Sequence, residues 1–220
     1  NVSVETVQYG AVLGQPVKWK KKVKVLDETE GRKKVVVKVP KEAENVNVMK
    51  GENTSDGVKI TGMVSAEIDV GDSWIKKLFK SITGRVIDES QEEDEETKDV
   101  VVEDNSTYLE IEYETPAPIA IEENTSYGKE IVISSDYHYE DILAFTELPR
   151  EVPVGEAKLY WRVNGSRELV SIDEYDTNDN GLVDFIEWIV PHLSNQTYEL
   201  VIEISQAEHL DTNRSFIADV

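Results

Sequence analysis

The sequence predicts an all-β chain: β-sandwich domains in tandem, with one short inserted helix and one loop of calcium-binding type. Three observations predict it. Apolar and polar residues alternate with a period of two over about ten short segments. Turn residues separate those segments, without the long helical stretches of an α/β chain. A length of 220 residues, at roughly 150 per domain, accommodates one large core or two small ones.

The elements follow in chain order. Val17, Trp19, Val23 and Val25 share one strand face, and Lys18, Lys20, Lys22 and Lys24 the other. Val35, Val37 and Val39 repeat the pattern until Pro40 stops it. Val58, Ile60, Val64, Ala66, Ile68 and Val70 read as one long strand. Leu109, Ile111 and Tyr113 alternate with Glu110, Glu112 and Glu114. Further strands are expected at 131–135, 142–148, 157–163, 169–175 and 198–204, with Asn164-Gly165 as a hairpin turn, since both residues tolerate positive φ. One segment has helical spacing: Trp74, Ile75, Leu78, Phe79 and Ile82 predict a helix at about 73–83, capped by Asp72 or Ser73 and closed by Gly84. Its Lys76, Lys77 and Lys80 face suits a membrane surface, but three turns suit packing on its own sandwich better.

The two prolines of Thr115-Pro116-Ala117-Pro118 place a boundary. Domain one is then 1–116, with the helix and an acidic run at about 88–99 inserted before its last strand. Domain two is 117–206, and 207–220 is a C-terminal tail or donor segment. A faint repeat links the two, with Gly14 and Gly128 opening strands and VPKE at 39–42 matching LPRE at 148–151.

Composition excludes several function classes. The chain has 45 acidic and 23 basic residues, a net charge of −22, against the positive face a nucleic-acid binder needs. With no cysteine, there is no disulfide, thiolate metal site or cysteine nucleophile. No apolar run is long enough to span a bilayer. The chain starts at Asn1, as a processed protein or a cut-out piece would. Residues 1–85 hold 16 basic and 11 acidic residues, +5, while 86–220 hold 7 and 34, −27. Such a front and rear would attract copies head to tail, or let the acidic run cover the ridge of Lys18, Lys20, Lys22, Lys24, Lys33, Lys34 and Lys38, unless both are plain solvated surface. Lys21 falls on the inward face, where it guards an edge strand or joins an Asn or Asp in a covalent crosslink.

Two motifs carry chemistry. Residues 176–187, DTNDNGLVDFIE, fit the calcium-loop pattern D-x-[DN]-x-[DN]-G-x5-E. Asp176, Asn178 and Asn180 supply side-chain oxygens, Gly181 the sharp turn, and Leu182 a backbone carbonyl. Asp184 reaches the ion directly or through water, and Glu187 closes the site with two oxygens. Phe185, Ile186, Trp188, Ile189 and Val190 then read as a short buried helix ended by Pro191. A lone loop of this kind in a β-domain is structural, filled by extracellular Ca²⁺. The second motif is the N-glycosylation sequon, at Asn1, Asn53, Asn105, Asn124, Asn164, Asn195 and Asn213. Seven of 11 asparagines carry it, whereas 28 Ser and Thr in 220 residues would give about 1.4 by chance.

Calcium and glycans without disulfides suit a prokaryotic, archaeal cell surface. The stretch from Tyr113 (YETPAP) through 160–166 (YWRVNGS) and the calcium loop to 188–197 (WIVPHLSNQT) and 207–210 (AEHL) resembles a module of large archaeal secreted surface proteins. The resemblance covers roughly 113–217, and more faintly 8–25. It implies strings of immunoglobulin-like sandwiches and an extracellular place; it carries no activity over. His138, His192 and His209 are isolated in sequence, and no nucleophile elbow, phosphate loop or zinc motif occurs, so no enzyme is expected. Ser134, Asp136 and His138 lie on one face of one strand and cannot converge as a triad. The expected role is a structural subunit of a surface filament or layer that associates with its own copies. Its terminal segments, 2–7 and 215–220, are apolar enough to donate a strand. The alternatives are a calcium-rigidified adhesion or carbohydrate-binding module, and a non-catalytic piece of a secreted hydrolase.

Overall fold

The computed structural model describes residues 2–26, 31–55, 57–69, 97–203, 208–210 and 216–219. The expected helix at 73–83, most of the acidic run, Asn1 and Asn213 lie outside the described residues. The described chain is all strand, turn and bend, and it divides into two compact units: Asn1–Tyr9 with Val17–Pro116, and Gly10–Pro16 with Ala117–Val220.

In the first unit, five strands form one antiparallel sheet in the order β1 (Val2–Gln8), β3 (Val17–Val25), β9 (Tyr108–Thr115), β5 (Glu44–Thr54), β6 (Gly57–Met63). Three more form a second sheet, β4 (Lys33–Pro40), β8 (Thr97–Asp104), β7 (Ala66–Asp69). The alternating valines explain the packing. Val23 and Val25 of β3, Val48 of β5 and Leu109, Ile111 and Tyr113 of β9 share one core with Val35, Val37 and Val39 of β4 and Val100 and Val102 of β8, as in a β-sandwich. Each such side chain, fully buried, contributes about 1.5–3 kcal/mol. The run from Val58 to Val70 is not one strand. It leaves the first sheet after Met63, and Val64 and Ala66 pack on the core as the chain crosses to the second. Thr97 to Asp99, expected in the acidic run, open β8.

The polar faces of β3 and β9 meet in register, Lys18 opposite Glu114, Lys20 opposite Glu112 and Lys22 opposite Glu110. Lys20 Nζ lies 3.0 Å from Glu110 and 3.1 Å from Glu112, Lys18 3.9 Å from Glu114, and Lys22 3.6 Å from Glu5 of β1. Lys18, Lys20 and Lys22 of the ridge are thus matched inside their own sheet. Counted by structural unit, the first unit has 17 basic and 24 acidic residues, −7, and the second 6 and 21, −15. Both are acidic; the positive front exists along the chain but not in the fold.

The second unit is one continuous sheet, β10 (Ile119–Asn124), β11 (Gly128–Val152), β15 (Val183–Ile202), β12 (Ala157–Val163), β13 (Ser166–Val170). β14 (Asp173–Tyr175) pairs with β15, and β2 (Ala11–Val12) with β11, which places residues 10–16 in this unit. The sheet folds over on itself. Trp188 and Tyr198 are ten residues apart on β15, about 33 Å if extended, yet their buried rings lie 5.5 Å apart. Lys129 Nζ likewise reaches Thr146 Oγ1 of the same strand at 2.8 Å. The bend falls where the β11–β15 register shifts between Ser134 and Tyr139, and where Asp141 at φ 49° interrupts the ladder between Glu140 and Ile142, beside Pro191, which has no N–H to give.

The helix expected at 185–190 is a strand, the first half of β15. Ile186, Trp188 and Val190 are buried with a period of two, while Ile189 stands half exposed. Five apolar residues among six fit either period, and the β-branched and aromatic content favoured the sheet. Past Ile202 the chain forms a short pair, β16 (Glu208–Leu210) with β17 (Phe216–Asp219).

Candidate metal centre

β14 and β15 form a hairpin, with Asp173 opposite Glu187 and Tyr175 opposite Phe185, and the calcium-type loop is its crown. Asp179 at φ 60° and Gly181 at φ 90° provide the two left-handed residues that reverse the chain. Asp176 accepts from Gly181 N at 2.7 Å and Asn180 N at 3.1 Å, Asn178 Oδ1 from Asn180 N at 3.2 Å, and Asn180 Oδ1 from Leu182 N at 2.8 Å. Asp184 accepts from Thr177 N at 3.0 Å, Thr177 Oγ1 at 2.7 Å and Asn178 Nδ2 at 3.2 Å. Positions 3 and 9 are therefore joined side chain to side chain, while Asp176 at position 1 and Asn180 at position 5 accept from the loop's own backbone. The Gly181 N–H, helped by that of Asn180, outweighs desolvation and holds the Asp176 carboxyl below the usual carboxylate range.

Glu187 is not drawn into that cluster. It accepts from the Tyr175 hydroxyl at 3.0 Å, which raises the phenol above its ordinary value. Among the described residues no three His, Asp or Glu side chains converge on one point. The structure adds a carboxylate that sequence reasoning missed. Glu151, at the end of β11, accepts from Asn178 Nδ2 and Asn180 Nδ2, each at 2.8 Å. The pairing of Val152 with Val183 brings it beside the loop from 25 residues upstream of Asp176, so no local spacing could reveal it. The donor set is all oxygen, from carboxylates and amides, which is the chemistry of a hard cation such as Ca²⁺.

The sequons in the described chain are all exposed: Asn53 near the β5 end, Asn105 between β8 and β9, Asn124 at the β10 end, Asn164 in the β12–β13 turn and Asn195 on β15. Asn164 at φ 49° and Gly165 at φ 79° form the expected two-residue hairpin turn. Lys21 donates to the Lys38 carbonyl of β4 at 2.6 Å; its own strand β3 is flanked by β1 and β9, so it is not the edge-strand lysine expected. Two histidines isolated in sequence come together: His138 and His192 stack at 6.5 Å, and Trp161 meets His192 edge-on at 6.0 Å. No family model matches this chain, and no curated protein matches it.

Proposed function

We propose that this chain is a calcium-stabilised, N-glycosylated structural subunit of an extracellular surface assembly, built of immunoglobulin-like sandwiches as its resemblance to archaeal surface modules implies. The observation that carries the reading is the hairpin crown, in which the side chains of Asn178, Asn180 and Asp184 are linked with Glu151 and Asp176 accepts from the loop backbone beside them. Ca²⁺ there would be held by Asp176, Asn178, Asn180, the Leu182 carbonyl, Asp184 and Glu187, would offset the crowded carboxylates, and would tie β14, β15 and the end of β11 together. Each sequon asparagine takes a glycosyl group at Nδ2 from a lipid-linked oligosaccharide. The new C–N bond replaces the bond from the anomeric carbon to the lipid phosphate, and the amide loses a proton.

Self-association does not draw on charge polarity, because both units are acidic. Residues 2–7, expected as a donor segment, are already paired with β3 as strand β1, so the support comes instead from the outer edge of β1, where Val2 and Val4 stand exposed. Negative-stain imaging of native material tests the assembly: regular filaments or lattices are expected, and discrete particles at high concentration would contradict it. A second reading, a saccharide-binding module, is favoured by an open cleft of about 390 Å³ in the first unit. Tyr9, Lys18, Asn45, Asn47, Glu112 and Glu114 line it with an aromatic ring and hydrogen-bonding groups. Saccharide binding lost in Tyr9→Ala would establish that reading.

A further inference from the structure

A sheet edge presents a row of backbone donors and acceptors to any strand that approaches it, and natural proteins block such edges. Among the described residues, β4, β7 and β1 end sheets of the first unit, as does β6, and β10 and β13 end the main sheet of the second. Their protections differ. β4 is basic and receives the inward Lys21 on its Lys38 carbonyl. β7 is four residues long and carries Glu67 and Asp69. β1, with Val2 and Val4 exposed, is the edge proposed above to meet other copies.

All six edges carry exposed apolar side chains, Val36 on β4, Ile68 on β7 and Val4 on β1 among them, but on β6, β10 and β13 they are not offset by a basic strand face or a four-residue length. Val58, Ile60 and Met63 on β6, Ile119 and Ile121 on β10, and Leu169 on β13 are between 41% and 71% exposed. Each of these three edges has a sequon on its own hairpin. Asn53 lies directly opposite Val58, on the face that also bears Ile60. Asn124 is the last residue of β10. Asn164 is in the turn that leads into β13, and Ser166, the first residue of β13, completes its sequon. A fourth, Asn195, lies opposite Ser134, which lies opposite Ile119, so it shares the outer face with the β10 isoleucines. Asn105 is different, because it joins β8 and β9, which are flanked by strands on both sides.

We infer that the glycans at Asn53, Asn124 and Asn164 are edge blockers, which keep β6, β10 and β13 of one molecule from pairing with those of a second copy. A hydrated, bulky chain beside an apolar edge strand obstructs its pairing sterically, as charges and short lengths do at other edges. The inference rests on the glycoprotein reading. It makes glycan placement a determinant of which contacts between copies are permitted.

The test uses the full chain from a glycosylating host, alongside N53Q/N124Q/N164Q and the single variant N105Q. Glycopeptide mass spectrometry reads occupancy. Sedimentation and infrared spectroscopy read association and intermolecular β-structure, and circular dichroism confirms that each variant is folded. The triple variant is expected to lose the wild-type size distribution and gain intermolecular β-signal as concentration rises, while N105Q keeps it. Adding Ile121→Lys and Leu169→Lys to the triple variant is expected to restore it in part. Occupied sites with a triple variant as dispersed as wild type would overturn the blocking role and leave the glycoprotein reading standing. Unmodified asparagines at these three sites in native material would overturn both.

Discussion

Gly128 opens β11 where the strand meets the backbone of β15. A Cβ at this position would lie 1.9 Å from the Leu200 carbonyl oxygen and 2.8 Å from its carbon, so the ladder itself would have to move. Gly128→Ala is expected to cost about 3 kcal/mol in chemical unfolding, the range of a forced backbone clash in a packed core. Lys129, its neighbour, is buried and held by Glu122 at 2.7 Å, Thr146 at 2.8 Å and the Glu147 carbonyl at 2.8 Å. Lys129→Ala leaves the Thr146 hydroxyl and Glu147 carbonyl without their donor, while exposed Glu122 returns to water, and a loss of about 1–3 kcal/mol is expected. Asp104 sets part of the acid limit. Burial pushes its carboxyl up, but Ser106 and the Lys50 ammonium at 2.9 Å prevail and the value is lowered. Its stabilisation is complete above the ordinary carboxylate range and is lost as pH falls through the lowered value. Asp104→Asn should flatten that limb of the stability–pH curve. None of these roles is visible in sequence, because Leu200, Thr146 and Lys50 come from other segments of the chain; Gly128 and Lys129 read there only as a strand opening.

At the scale of elements, the hairpin β14–β15 concentrates the chemistry. Its loop was legible because an ion-binding loop must place oxygens at fixed local spacing; in the hairpin Asn178 and Asp184 meet, while Asp176 accepts from the loop backbone. Glu151 was not legible, since only the β11–β15 register delivers it. Glu151→Gln is expected to weaken Ca²⁺ binding by calorimetry while leaving β-content intact; unchanged affinity would remove Glu151 from the site's surroundings. Strands with a clear inward stripe, such as β3, β9 and β12, were readable from alternation. The long strands β11 and β15 were read as fragments. Their bends at Asp141 and Pro191 shift the phase of the buried side chains, and a phase shift looks like an end when only the period is followed.

At the scale of the whole molecule, charge organisation changed most between sequence and fold. The glutamates of β9 follow the lysines of β3 by some 90 residues yet lie beside them, so a division along the chain separated charges that the fold joins. With units of −7 and −15, copies repel one another electrostatically. Association should strengthen or hold as salt rises, since screening removes repulsion; dissolution of assemblies by moderate salt would revive a charge-driven contact. Calcium in the hairpin crown is proposed to hold the fold. The most direct measurement is thermal unfolding of wild type and Asp176→Ala, each in EDTA and in Ca²⁺. A cation bound only to the folded state adds about 2.7 kcal/mol at a hundredfold excess over Kd. The account predicts that calcium raises the wild-type Tm by several degrees and leaves the variant unmoved. Identical wild-type curves in EDTA and in millimolar Ca²⁺ would contradict it.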